Sequence, residues 1–232
     1  MDNYSTFEQF KKENPFLSLG ELVYMFLYNE IIYLRIRPNT KLSESKLAEE
    51  LKISRTPVNY ALNRLTEDHL IEKKEGKSTV VSTMGKQESK MLYEARIAVE
   101  GYAAFLAAGR ITGKQLAKME ELVKQYAQIG KDINPDTYAD CDHQFHEIII
   151  EAACNTYISK MYASIESRLK HYRYCLLSQI GKDRLQPILY HAAKHHRAVY
   201  NALRLGFADV ASKEVERDIE GMTDIFYEWN AP

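Results

Sequence analysis

The 232-residue sequence has only three cysteines, Cys141, Cys154 and Cys175, and no two of them have CxxC spacing. Three cysteines spaced in this way indicate neither a disulfide framework nor a thiolate zinc site. Apolar runs are also short, since none approaches the roughly 20 residues that a membrane-spanning helix needs. The opening segment MDNYSTFEQFKKENP lacks the apolar core of a signal peptide. We therefore expect a cytoplasmic protein without a membrane segment.

The sequence also lacks a large net charge, because 31 Lys and Arg residues face 32 Asp and Glu residues. The molecule is not a polycation, so any contact with nucleic acid must come from a local surface. Residues 35–84 are locally basic, with ten Lys and Arg against seven Asp and Glu. A hydrophobic content of 45% and a charged content of 27% are typical of a globular protein.

Few segments of the chain alternate as strands do, and long stretches repeat apolar residues at helical spacing. In the first third we predict helices over 19–34, 44–51 and 55–65, with Ser43 and Ser54 as caps. Two short β-like runs follow, 71–74 and 78–81, joined across Glu75-Gly76-Lys77. This order is the outline of a winged helix-turn-helix domain, which we place at residues 15–84.

From residue 85 to residue 232 the pattern is helix after helix, with breaks at glycine, asparagine and proline. The chain as a whole is therefore predicted to be mainly α, with an all-α six-helix bundle as its second domain. The predicted helices of this bundle cover residues 87–109, 113–129, 135–153, 156–178, 187–205 and 208–229.

The segment ISRTPVNYAL, residues 53–62, opens the third predicted helix with small hydroxyl side chains and an arginine. A recognition helix enters the major groove with its N-terminal residues against phosphates and base edges. Ser54 and Thr56 would contact phosphate and Arg55 would read a base, while Pro57 suits the first turn. A plain capped helix without a DNA role is the alternative.

The stretch from Leu34 to Val81 resembles the DNA-binding domain of the GntR family of bacterial transcription regulators. LSESKLAEEL, SRTPV, AL-x-RL and the EG of the wing all match the usual pattern of that family. The sequence departs from it at Asn59 and Tyr60, where Arg-Glu is usual, and at Asn39, which replaces a turn glycine. The resemblance implies operator contacts from Ser45, Lys46, Ser54, Arg55, Thr56, Asn59, Tyr60, Gly76 and Lys77.

Three predicted helices of the bundle each carry ionisable side chains within an apolar stripe. Asp142 and His146 lie one turn apart on one helix, His196 interrupts the stripe of another, and Asp218 that of the last. Burial of such groups is costly unless they are paired. Either a divalent metal or a His–Asp hydrogen-bond network would satisfy them, and we read His143, His171, His191 and His195 as solvated or rim residues.

MLYEARIAVEGYAAFLAAGRIT, DCDHQFHEIIIEAACN and HHRAVYNAL resemble the FCD ligand-binding domain, common in the fatty-acid-responsive branch of GntR regulators. The resemblance implies metal ligation by Asp142, His146 and His196, with Asp218 at a position where histidine is usual. Such N/O ligands suit Zn, Ni, Mn or Fe.

An effector site is predicted beside this metal. Arg96 shares a helical face with apolar residues, so its guanidinium points inward, either toward an effector carboxylate or toward Glu100 one turn along. Arg168 and Tyr172 would line the same cavity.

These features predict a homodimeric regulator that binds a pseudo-palindromic operator in double-stranded DNA. A small organic acid would control its affinity, and repression is the expected outcome. One alternative is a metal sensor in which the ion itself is the signal, and another is a metal-dependent hydrolase. Against the hydrolase, the sequence has no phosphate loop, nucleophile elbow or independent general base.

Overall fold

A computed structural model describes residues 3–74, 78–129, 135–179 and 182–229 of the chain. The chain divides into two compact units, Met1–Thr83 and Met84–Pro232. The prediction of a mainly α protein, with a winged helix-turn-helix before a helical second unit, is confirmed. Among the described residues, no helix combines the length and apolar character required to cross a bilayer.

The first unit combines helices with a small antiparallel sheet, in which β3 lies between β1 and β2. Its elements are α1 (Asn3–Glu13), α2 (Leu19–Ile32), β1 (Lys41–Leu42), α3 (Glu44–Glu50), α4 (Arg55–Glu67), β2 (Ile71–Lys73) and β3 (Thr79–Val81). The predicted hairpin is present as β2 and β3. Strand β1 is not predicted from the sequence, because two residues are too few to show a strand pattern.

Helix α1 is not predicted either, and it precedes residue 15, the predicted start of the first domain. Its sequence is mostly polar, so the apolar stripe that would mark it is weak. Phe7 is fully buried, and its ring packs edge-on against Phe26 of α2 with centroids 5.3 Å apart. Burial of one such aromatic side chain contributes about 1.5–3 kcal/mol.

Local chemistry fixes the start of α2 and the turn that follows the helix. Ser18 and Glu21 form a capping box, in which each side chain bonds to the backbone of the other residue. After the helix, Asn39 has a φ of 65° and accepts a hydrogen bond from Lys74 Nζ at 2.9 Å. Asparagine tolerates this left-handed conformation better than other residues with a side chain, so the turn survives without glycine.

The second unit contains six helices among its described residues. They are α5 (Lys86–Ala107), α6 (Gly113–Ile129), α7 (Pro135–Ala152), α8 (Thr156–Gln179), α9 (Lys182–Leu205) and α10 (Ala208–Trp229). Helix α9 starts five residues before the predicted start at Pro187, which lies inside it. Proline at this sixth position removes one intrahelical hydrogen bond, and the helix continues past it.

Helix α10 packs on α5 and α9, while α7 packs on α5, α6 and α8. The predicted apolar stripes meet in this core, where Phe145, Ile149, Val199 and Val215 are fully buried. Between α9 and α10, Gly206 has a φ of 74°, a conformation that favours glycine after a helix end. The tight turn brings α9 and α10 side by side, and their polar residues then face the same core.

Candidate functional site

The first candidate site is the helix-turn-helix formed by α3 and α4. Glu44, at the start of α3, accepts hydrogen bonds from Arg55 Nε at 2.7 Å and from Asn59 Nδ2 at 3.0 Å. The hydrogen bond from Asn59 and then that from Arg55 lower the pKa of the Glu44 carboxyl. Arg55 and Asn59 thus lie on one exposed face of α4, near its N-terminus.

The small polar residues at the start of each helix are also exposed or half-exposed. Ser54 occupies the N-cap position of α4, but its side chain makes no capping hydrogen bond. The sequence predicts that this hydroxyl caps the helix, but in the structure it does not. Ser45 lies 3.1 Å from the Ser43 hydroxyl, and Lys46 pairs with Glu50 on the exposed side of α3.

Tyr60 is not brought together with Arg55 and Asn59. Its ring lies against Gly20 of α2, where a Cβ atom would be 2.8 Å from Tyr60 Cδ1. Its hydroxyl accepts a hydrogen bond from Arg64 at 3.4 Å. The ring therefore packs against α2 on one side, while 43% of the residue stays exposed. The two predicted wing residues, Gly76 and Lys77, lie outside the described residues.

The second candidate site is a buried cluster at the centre of the helical unit. Asp142, His146, His196 and Asp218 each offer a ligand atom, and these atoms all lie within 4.8 Å of one another. All four residues are at most 5% exposed. Helices α7, α9 and α10 supply them, as the interruptions of the three apolar stripes predict.

The donor atoms of this cluster converge without satisfying one another. His146 Nε2 is 3.2 Å and His196 Nε2 is 3.3 Å from Asp218 Oδ2. Neither nitrogen forms a hydrogen bond of normal geometry, and Asp218 Oδ1 has no hydrogen-bond partner. Two imidazoles and two carboxylates aimed at one point form the ligand set that a divalent transition metal accepts. The residues present therefore fit a metal ion.

A layer of charged residues surrounds the cluster. Glu100, on α5, is fully buried, and its Oε2 lies 2.6 Å from His146 Nδ1. Arg96 is also buried and pairs with Glu100 through Nε at 2.7 Å. On the other side, Arg173 Nη2 lies 2.5 Å from Asp142 Oδ2. Contacts of this kind orient metal ligands in proteins.

These neighbours decide the charges of the cluster. Burial alone would lower the pKa of His146, but the carboxylates of Glu100 and Asp142 raise it to about 9. Burial would likewise raise the pKa of Asp142, but Arg173 and the imidazoles hold it below its ordinary value. The pKa of Asp218 is lowered for the same reason, chiefly by His196. Both aspartates are therefore negatively charged at neutral pH.

The predicted effector residues occupy three different environments. Arg96 makes the internal pair with Glu100, the alternative that its spacing left open. Arg168 pairs with Glu88 of α5 at 2.7 Å. Tyr172 is buried with its ring edge-on to Tyr93, centroids 5.9 Å apart.

Three buried residues differ from the expectation: His171 is misplaced, Arg173 is missed, and Glu100 is expected only as a partner of Arg96 and not of His146. His171 is 2% exposed rather than solvated, and burial together with Arg168 lowers its pKa to about 4. Helix α8 is mostly buried between Arg168 and Leu177, although four of these ten residues are charged or histidine. A helix without a solvated face shows little contrast between a polar and an apolar side, so the sequence does not mark which of its polar residues are buried. The i,i+4 pair Arg96–Glu100 was the available signal for Glu100.

Two family models match the chain. The model of bacterial regulatory proteins, gntR family, matches residues 19–81, and the FCD domain model matches residues 91–221. The first match covers the helix-turn-helix and its sheet. The second covers the buried cluster and includes all four candidate ligands.

Individual relatives support both matches. The HTH-type transcriptional repressor RspR of Escherichia coli is 20% identical over 211 residues, which are 91% of this chain and 90% of RspR. The Nta operon transcriptional regulator of Aminobacter aminovorans is 29% identical over 138 residues, which are 60% of this chain and 65% of that protein. The solved structure of E. coli McbR/YncC aligns with a TM-score of 0.75 at 20% identity, over 92% of this chain and all of that one.

Proposed function

The chain belongs to the GntR family of bacterial regulatory proteins, as a DNA-binding transcriptional regulator with an FCD domain, and not an enzyme. From that premise we propose that it is a cytoplasmic repressor whose operator affinity is set by a small carboxylate bound beside a divalent metal. The observation that carries the proposal is the buried convergence of Asp142, His146, His196 and Asp218. The fatty-acid-responsive branch stays a prediction.

The metal would be Zn, Ni, Mn or Fe, held by two imidazole nitrogens and two carboxylate oxygens. When bound, it supplies positive charge and a coordination position for an anionic oxygen. Glu100 lies 2.6 Å from His146 Nδ1, and its charge would keep Nε2 turned toward Asp218. Arg173 occupies Oδ2 of Asp142 and leaves Oδ1 facing His196 at 3.4 Å.

Charge balance favours an effector with a single negative charge. The buried carboxylates of Asp142, Asp218 and Glu100 carry three negative charges, and the guanidiniums of Arg96 and Arg173 carry two positive charges. A divalent ion with neutral histidines leaves the site with one excess positive charge. Because uncompensated buried charge is costly, a monocarboxylate would complete the site. Arg96, Arg168 and Tyr172 remain its predicted contacts.

On the DNA side, we propose that Arg55 and Asn59 read bases while Ser45, Lys46, Ser54 and Thr56 position the phosphates. The exposed Arg55 side chain, 70% accessible, needs only to leave Glu44 to reach a base edge. Tyr60 would contribute by holding α4 against α2. Gly76 and Lys77 of the wing stay predicted contacts.

We propose that two copies pair through α5 to read a pseudo-palindrome. Met91, Ala95, Ala98, Tyr102 and Phe105 recur at alternating spacings of four and three, which places them on one stripe. Tyr102 is 57% exposed, and its ring stacks on that of Phe105 with centroids 5.9 Å apart. An apolar stripe of this kind is self-complementary across a twofold axis, as a homodimer requires.

The proposal is tested with operator DNA selected from random sequences and a fluorescence anisotropy titration. Metal-loaded wild type should bind the selected DNA more tightly than scrambled DNA, and a series of monocarboxylates should contain at least one that changes the affinity. Arg173→Lys keeps the positive charge beside Asp142 but loses the planar guanidinium, so it tests whether the geometry of this contact affects the response to acids. If no acid changes the affinity of the metal-loaded protein, the effector part of the proposal is wrong.

A metal sensor is the second candidate, and one observation favours it. The cluster offers four protein ligands, which are enough to close a tetrahedral site without an outside molecule. In that case the ion alone would change operator affinity, and added acids would have no further effect. The same titration, with and without Zn²⁺ or Mn²⁺, separates the two functions.

A further inference from the structure

A second group of metal-binding side chains lies on α7 and α8, outside the buried cluster. Its members are His143, Glu147 and Glu166, and one ligand atom from each lies within 4.8 Å of the other two. His143 Nε2 is 3.2 Å from Glu166 Oε1. His143 and Glu147 are one turn apart on α7, so both side chains can reach the Glu166 carboxylate on the neighbouring helix.

The environment of this group differs from that of the buried cluster. The side chains of His143 and Glu166 are 13% and 33% exposed, so water and ions can reach them. Two carboxylates this close repel each other, and a cation between them relieves that repulsion. Lys170, one turn along α8, acts electrostatically on Glu166 and is the internal competitor for a cation.

We propose that His143, Glu147 and Glu166 bind a second divalent cation, Zn²⁺ or Ni²⁺, independently of the effector site. One imidazole and two carboxylates are ligands that these ions accept, and three protein ligands leave positions for water. The ion would link α7 to α8. Because the site is partly open and has one ligand fewer, it binds more weakly and exchanges faster than the buried cluster.

The test is equilibrium dialysis of the full chain, first stripped with a chelator, against increasing free Zn²⁺ and then Ni²⁺. Wild type should bind two ions per protomer in two separate steps. Glu166→Gln and Glu147→Gln should each lose the weaker step and keep the tighter one. Glu151→Gln is the matched control, since it removes an exposed carboxylate one turn further along α7 and should keep both steps.

His146→Ala separates this inference from the proposed function. It should remove the tighter step and leave the weaker one, which Glu166→Gln removes. A wild type that binds a single ion, lost in His146→Ala and kept in Glu166→Gln, overturns the second site. A single ion that is lost in Glu166→Gln and kept in His146→Ala would support the second site and contradict the buried one. Equal stoichiometry in wild type, Glu147→Gln and Glu166→Gln would reduce His143–Glu166 to an ion pair.

Discussion

His171→Leu should remove a specific acid sensitivity from the helical unit. The imidazole of His171 is buried on α8, with Cys175 Sγ 3.5 Å from its Nε2. Burial and the guanidinium of Arg168 both disfavour the imidazolium, and they lower the pKa of His171 to about 4. In the unfolded chain the group returns to an ordinary value near 6.5. Folding therefore excludes a proton that the unfolded chain binds.

The sign and size of the effect follow from proton linkage. Because the folded pKa lies below the unfolded one, the contribution is complete above pH 6.5 and is lost as pH falls toward 4. The full difference corresponds to about 3 kcal/mol, since one pKa unit is about 1.4 kcal/mol. At pH 5 the loss is about 2 kcal/mol. A neutral leucine has no such dependence.

Urea unfolding of the metal-free proteins, followed by far-UV circular dichroism at pH 7.5 and pH 5, measures this difference. The other titrating groups are common to both proteins. The difference in unfolding free energy between wild type and variant therefore changes between the two pH values only through His171. Leucine costs some stability at pH 7.5, but wild type should lose about 2 kcal/mol more than the variant on going to pH 5. Parallel losses in the two proteins would refute the reasoning.

Three further outcomes are expected. Asn59→Arg should shift the selected operator toward guanine by about 1–3 kcal/mol, since arginine pairs with guanine and asparagine with adenine, whereas an unchanged consensus means that Asn59 reads no base. Tyr102→Glu should yield monomers by light scattering at micromolar concentration, while Tyr157→Glu, a similarly exposed tyrosine on α8, should not, and a dimeric Tyr102→Glu protein would move the interface elsewhere. Asp218→His should shift metal preference from Mn²⁺ toward Ni²⁺ in competition dialysis, and an unchanged ratio would remove Asp218 from the ligands.

The sequence predicts the fold and the core of the candidate metal site well, because both depend on periodicity. Asp142 and His146 stand out since each interrupts an apolar stripe, and the same holds for His196 and Asp218. Three interrupted stripes on three helices meet at one point once the helices pack. Periodicity within one helix does not predict which residues of two helices distant in sequence contact each other.

Arg173 illustrates the limit. It lies in the α8 segment RLKHYRYCLL, whose charged residues resemble those of a solvated surface, yet neighbouring helices bury it against Asp142. No periodicity marks a charged residue whose only reason for burial is a partner on another helix. Tyr60 shows the same limit on a smaller scale, since only the packing of α4 on α2 reveals that it faces Gly20.

Metal content is the most direct test of the central claim, that the buried cluster holds a metal. Wild type and His196→Ala are incubated with Zn²⁺, Ni²⁺, Mn²⁺ or Fe²⁺, desalted to remove weakly held ions, and measured by inductively coupled plasma mass spectrometry. The account predicts about one retained ion per wild-type protomer for at least one metal and none above background in the variant, because His196 supplies one of four ligands. Wild type that retains no ion, or a variant that retains as much, would contradict it and leave a His–Asp network in the core.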